Sequence, residues 1–227
     1  MNRIPFLFAC LLSALPAAPA RPQEAAPLRN VNAYLCGLHF YNGRQDRQVI
    51  AHHYCAHAAD GLMQCVIYDS NRRNARLIGI EYVATAQVFA GLPAGEKRLW
   101  HSHAYEVASG LLLAPGLPGA AEKAMMKDFA TTYGKTWYTW QVDRGDRLPL
   151  GIPQLMMGFT ADGQVDPKRV AERDRDLGTS TAEKRRQRAD LPVPPVAPEA
   201  DAWRNGVPEQ LELRPQGPPP VTRIPMH

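Results

Sequence analysis

The sequence predicts an α+β domain in which an antiparallel β-meander packs with a few short helices, and three observations carry that prediction. Side chains alternate strictly from Gln48 to Ala58, and two further strand-like runs follow across turn residues. Helical periodicity enters only after these runs, so helices do not alternate with strands as they do in a doubly wound parallel sheet. The chain also carries 21 prolines and 17 glycines, which excludes a helical bundle, and no apolar run reaches the roughly 20 residues of a membrane-spanning helix. Its 227 residues, 45% hydrophobic and 21% charged, suffice for one core.

Each element has its own reason. Val49, Ala51, His53, Cys55 and His57 share one face of the first strand, and Ile50, His52, Tyr54 and Ala56 the other. Ala59-Asp60-Gly61 supplies turn chemistry, Met63 to Asp69 a second strand, Ser70 to Asn74 another turn, and Arg76 to Ala84 a third strand. Thr85 to Trp100 reads as two short helical pieces, because Gly91-Leu92-Pro93 interrupts it and Pro93 suits the first turn of a new helix. Ala120 to Tyr133 is the clearest helix, with Ala121, Met125, Phe129 and Thr132 on one stripe and Gly134 placed to end it. The aromatic and branched run Lys135 to Val142 is a fourth strand.

The ends differ from this core. Residues 1–20 read as an export signal: Arg3, an apolar stretch from Ile4 to Leu15, and the small residues Ala18-Pro19-Ala20 at a cleavage point. The mature chain is then periplasmic or secreted and lacks Cys10. Leu7-Phe8-Ala9-Cys10 also looks like a lipid-attachment box, although half of the apolar stretch follows it. The folded domain covers residues 29–163. Residues 164–190 form a charged linker or a solvated helix broken at Gly178, and residues 191–227 a proline-rich disordered tail that cannot bury enough apolar surface to offset its ordering. The formal net charge is +4, but residues 168–188 alone hold eight Lys/Arg against four Asp/Glu, leaving 18 of each sign elsewhere. The core therefore has no basic field for nucleic acid.

Three cysteines remain after signal removal. If the hairpin loop is the three residues 59–61, with Gly61 at positive φ, Cys55 and Cys65 lie opposite each other and can bridge. A two-residue loop places Cys55 opposite Val66 instead, leaving three buried thiols. The histidines are the other chemical resource: His52, His53 and His57 on one strand, then His101, His103 and Glu106 in H-S-H-A-Y-E. Imidazoles with a carboxylate suit a divalent transition metal, and histidines two apart on a strand share a face. The simpler alternative is that these histidines hydrogen-bond within the sheet. Gly95 with His101, His103 and Glu106 approaches the first metal-binding motif of cupins, but the glutamate spacing is short and no second motif follows. Glycine-rich phosphate loops, Gly-x-Ser-x-Gly elbows and Cys-x-x-Cys pairs are missing from the sequence. Leu111, Leu112 and Leu113, set among glycine and proline, are candidates for a lipid-contacting loop.

The runs YLCGLHFYNG, DRQVIAHHYCAH, QCVIYDS, ARLIGIEY, LWHSHAYEVASGLLLAPG and YGKTWYTWQVDRGDRLPLGIPQLMM closely resemble the oil body-associated protein family, a domain of unknown function. The resemblance implies association with lipid bodies and no established reaction. His39, His52, His53, His57, His101, His103 and Glu106 fall on its motifs without an assigned role. The export signal and the proline-rich tail depart from the plant pattern. The expected function is accordingly a non-enzymatic, lipid- or envelope-associated role. The alternatives are a metal-binding protein or metalloenzyme using the His/Glu cluster, and an interaction module held by one disulfide whose tail recruits a partner.

Overall fold

The computed structural model describes residues 26–58 and 60–217, so the expected export signal lies outside the described residues, as do residues 218–227 of the tail. The strands are β1 (Ala33–Tyr41), β2 (Arg44–His57), β3 (Leu62–Tyr68), β4 (Leu77–Ala84), β5 (His101–Ser102), β6 (Tyr133–Tyr138) and β7 (Gln154–Met157). The helices are α1 (Ala26–Arg29), α2 (Ala86–Ala90), α3 (Ala94–Lys97), α4 (Ala104–Ala108), α5 (Gly119–Phe129), α6 (Pro167–Leu177) and α7 (Thr181–Gln187).

The sheet does not remain an open meander. Its order β4-β3-β2-β1-β7-β6 returns on itself through an antiparallel β4–β6 pairing, so six strands close into a barrel, and β5 pairs with the first residues of β6 on the side opposite β4. Closure removes the unpaired edges that an open sheet exposes. The β2–β3 hairpin turns through Asp60 and Gly61 at φ 63° and 74°, with the Ala58 amide bonded to the Leu62 carbonyl. That loop sets Cys55 opposite Cys65, their Cα atoms 4.1 Å apart, and the two are joined by a disulfide. Cys36 is a buried free thiol whose pKa burial pushes up to about 12.

Inward-facing side chains stack in three layers. Leu35, Cys55, Cys65, Val83, Met126 and Phe129 fill one end of the barrel, and Tyr41, Val49, Ala51, Ile67, Tyr138 and Met156 fill the other. Between them lies a polar layer of His39, His53, Glu81, His101 and His103, each 3% exposed or less.

Leu111, Leu112 and Leu113 do not form a lipid-contacting loop. They are 2%, 5% and 2% exposed, because Leu113 forms an isolated antiparallel bridge to Cys36 of β1 and the loop packs between the barrel and the helices after it. Irregular backbone buried in this way needs donors. Arg188 donates to the Val107 and Leu112 carbonyls at 3.0 and 2.8 Å and to Glu122 at 3.0 Å, while Arg173 donates to the Leu111 carbonyl. The helix pair α6–α7, divided at Gly178, thus turns two of its basic residues inward.

The proline-rich segment also docks in part. Ala200 and Asp201 are buried, the Trp203 ring meets Phe40 at 4.9 Å, and the Gln210 side chain accepts from the Leu155 amide and donates to the Leu155 and Asn42 carbonyls. Proline bars regular ladders, but an extended chain still docks wherever a few side chains satisfy another strand's free backbone groups.

Candidate metal centre

Strand alternation places the polar layer. His39 lies two residues inward from Tyr41 on β1, His53 two from Cys55 on β2, and Glu81 two from Val83 on β4. The pairing of β5 with β6 sets His101 opposite Gly134. The chain then turns into α4, leaving His103 just before that helix and Glu106 in its first turn.

Glu81 is the hub. Its Oε2 lies 2.9 Å from His53 Nε2 and 3.9 Å from His39 Nε2, and its Oε1 lies 3.1 Å from His103 Nε2 and 3.7 Å from His101 Nε2. Two triplets of donor atoms, His39-His53-Glu81 and Glu81-His101-His103, each fall within 4.8 Å. Bonds of about 2.1 Å to a common ion set neighbouring donors about 3.0 Å apart at a right angle and about 3.4 Å apart in a tetrahedron. The His53 and His103 separations, 2.9 and 3.1 Å, are of this kind, and those of His101 and His39, 3.7 and 3.9 Å, are a few tenths of an ångström longer.

Proton bookkeeping points the same way. The Thr132 hydroxyl donates its one hydrogen to the Phe129 carbonyl at 2.7 Å, so it accepts from His103 Nδ1–H at 2.8 Å. His103 Nε2 then faces Glu81 with a lone pair unless the ring is an imidazolium. Two acceptors 3.1 Å apart require a cation or a proton between them. His53 and His101 strengthen the case, since both ring nitrogens of each are buried without a hydrogen-bond partner. His53 Nε2 is close to Glu81 but not aligned for a bond. Burial lowers His101 to about 3 and holds His39 well below the ordinary range, leaving both neutral as ligands must be. Burial pushes the Glu81 carboxyl up, whereas the His103 hydrogen bond, the close His53 nitrogen and positive charge on His53 and His39 pull it well below the ordinary range, so the carboxylate stays ionised where protons or a cation supply that charge. The ring orientations have outer support as well, with His39 Nδ1 3.0 Å from the Tyr138 hydroxyl.

Of the sequence candidates, the structure brings His53, His101 and His103 together. It does not bring in His52, which lies on the outer face with Nδ1 2.8 Å from the Tyr34 hydroxyl, or His57, which is exposed at the end of β2. Glu106 is buried at the rim of the layer, beside His101 and over Gly158, and burial together with the nearby Glu81 pushes its carboxyl well above the ordinary range. His39 and Glu81 complete the set. The signal that marks Glu81 is inverted polarity, for Ile80 and Tyr82 are 39% and 42% exposed while the glutamate between them is 3% exposed.

The tail reaches this site. Asp201 accepts from the Ser102 amide at 3.1 Å and the Ser102 hydroxyl at 2.8 Å, pinning the short strand between His101 and His103. Burial raises the Asp201 carboxyl to about 6. The folded chain therefore keeps this proton up to about pH 6, whereas the unfolded chain loses it near pH 4. The resulting stabilisation is complete below pH 4 and fades as pH rises to 6, by roughly 2–3 kcal/mol. Asp201→Asn is expected to remove that slope, seen as the difference between parent and variant in urea unfolding at pH 4.5 and pH 7. Parallel curves at both pH values would contradict the assignment.

Fold and site together define a class: a small closed antiparallel barrel with a histidine–carboxylate cluster sealed in its interior. The family model described as "Protein of unknown function (DUF1264)" matches residues 25–192, and the chain belongs to that family. It is 41% identical over 202 residues to oil body-associated protein 1B of Arabidopsis thaliana, covering 89% of this chain and 84% of that protein. It is 42% identical over 202 residues to protein 1A of Zea mays (88% and 84%) and 45% identical over 188 residues to protein 2A of Zea mays (81% and 75%). No solved structure matches the chain.

Proposed function

We propose that the protein binds one first-row divalent transition metal inside its barrel through Glu81 and histidines drawn from His39, His53, His101 and His103. The observation that carries this reading is the convergence of four imidazoles on one buried carboxylate, with the nitrogens of His53 and His101 left without partners. Leaving such groups unpaired costs about 1–3 kcal/mol each, and a bound cation removes that cost. Elemental analysis of untagged protein and of the His101→Ala/His103→Ala variant tests it, with metal expected in the first only.

A second reading concerns the outside of the barrel. The relatives are named for association with oil bodies, and the described residues contain no helix long and apolar enough to cross a membrane. Tyr34, Tyr54, Val66, Ile80 and Trp137 are successive cross-strand partners over β1, β2, β3, β4 and β6, and none of the five is buried. We infer that this apolar row rests on a lipid or envelope surface, which an exported chain would meet outside the cytoplasm. Co-sedimentation with phosphatidylcholine vesicles should persist in high salt and fall severalfold in Tyr54→Ser/Ile80→Ser. Equal binding by that variant would remove the row from consideration.

A further inference from the structure

A second cavity, of about 310 Å³, opens beside the metal layer. Its walls are Leu62, Met63, Val83, Met125 and Phe129, and its mouth is formed by exposed residues such as Asp128 and Thr131. Apolar walls with a thin polar rim are the usual make-up of a small-molecule site, and two methionines supply adaptable surface.

The position of this cavity gives it meaning. Val83 and Phe129 form its buried floor, and the same two residues line the small interior space of about 10 Å³ bounded by His39, His53, Glu81 and His103. The Phe129 ring packs on His103 with centroids 5.3 Å apart. Thr132, which orients His103, also borders the outer cavity. One aromatic ring therefore separates an apolar pocket from the histidine cluster.

We propose that this cavity binds a single unbranched alkyl chain with its end directed at Phe129 and the metal layer behind it. A linear chain fits because the buried lining, Val83, Ala84 and Phe129, carries no polar side chain, whereas the polar lining residues His57, Thr85, Asp128, Thr131 and Thr132 are none of them buried, so recognition in the depth of the cavity rests on apolar contact. The cavity assignment stands on its own lining, while the role of the cluster rests on the metal reading above.

Calorimetric titration with linear alcohols tests the pocket. Affinity should rise about fourfold per methylene from 1-butanol to 1-octanol, the increment expected for burying each group. Met125→Trp and Leu62→Trp fill the space from half-exposed walls and should each weaken 1-octanol at least tenfold with little change in melting temperature. Affinity independent of chain length, or undiminished in both filled variants, would overturn the proposal. Adding 1-octanol to cobalt-loaded protein should alter the visible absorption of the ion, and an unchanged spectrum at saturating alcohol would overturn the end-on placement. His101→Ala/His103→Ala separates the two readings. Octanol binding without metal in either protein supports the pocket and removes the metal, whereas metal binding without octanol binding does the reverse.

Discussion

Purified without a metal-affinity tag, the protein is expected to carry close to one equivalent of a transition metal, and Glu81→Gln less than a tenth of that. Glu81 belongs to both donor triplets and is the one ionised carboxylate among them. Glutamine preserves its shape and one acceptor but removes the charge that holds a cation in a closed interior. Metal binding is also folding energy, because the unfolded chain has no assembled site. At a free metal concentration 1,000 times the dissociation constant the ion contributes about 4 kcal/mol. Chelation should accordingly lower the melting temperature by about 10 °C, since 1 kcal/mol is worth about 2–4 °C in a chain of this size. The competing state is an imidazolium at His103 paired directly with Glu81. It predicts no metal in either protein, no response to chelator, and a strongly destabilised Glu81→Gln, because one partner of a buried ion pair is then left alone.

Gly134→Ala should be the most damaging single methyl group added to the barrel wall. A Cβ at that position would lie 2.1 Å from Glu81 Oε1 and 2.8 and 2.9 Å from His101 ring atoms. The backbone cannot retreat, because β6 is paired at Gly134 with Val83 on one side and His101 on the other. The carboxylate must therefore leave its place and take the cluster with it. Overpacking alone costs about 1–3 kcal/mol, so with the cluster broken a loss of about 3 kcal/mol or more is expected, together with the metal. Gly95→Ala is the control: it sits in helix α3 with nothing within 4 Å of an added Cβ, and alanine favours a helix by about 1 kcal/mol. Urea unfolding and metal content of both variants decide the matter. A Gly134→Ala protein as stable and as metal-rich as the parent would show that Glu81 is not fixed over this glycine.

Some of this was legible from residues alone. Alternation from Gln48 to Ala58 placed His53 and Cys55 on one face, because a strand with one covered and one partly open side writes its period into its sequence. β1 carries no such mark. From Leu35 to Tyr41 every residue is buried, since the inner face meets the histidine layer and the outer face lies under the Leu111–Leu113 loop and the segments after it. A strand covered on both sides has no polar phase to read. Helix α5 stops at Phe129, short of the expected Tyr133, because Tyr133 and Gly134 are claimed by β6. Local helical periodicity gives way there to a ladder whose partners lie some fifty residues earlier, on β4.

The sequence by itself determined the family, the antiparallel strands of the first hairpins, and a stock of histidines on inward-capable positions, because these follow from local patterns and long motifs. Only the tertiary structure decided that the sheet closes, that Glu81 rather than Ile80 or Tyr82 faces inward, and which histidines meet. Closure is a relation between β4 and β6 across the whole core, and it alone fixes which face of each strand becomes interior. Once that face is sealed, a carboxylate on it has to be met by a proton, a hydrogen-bond donor or a cation, and the imidazoles around Glu81 stand where those partners are needed.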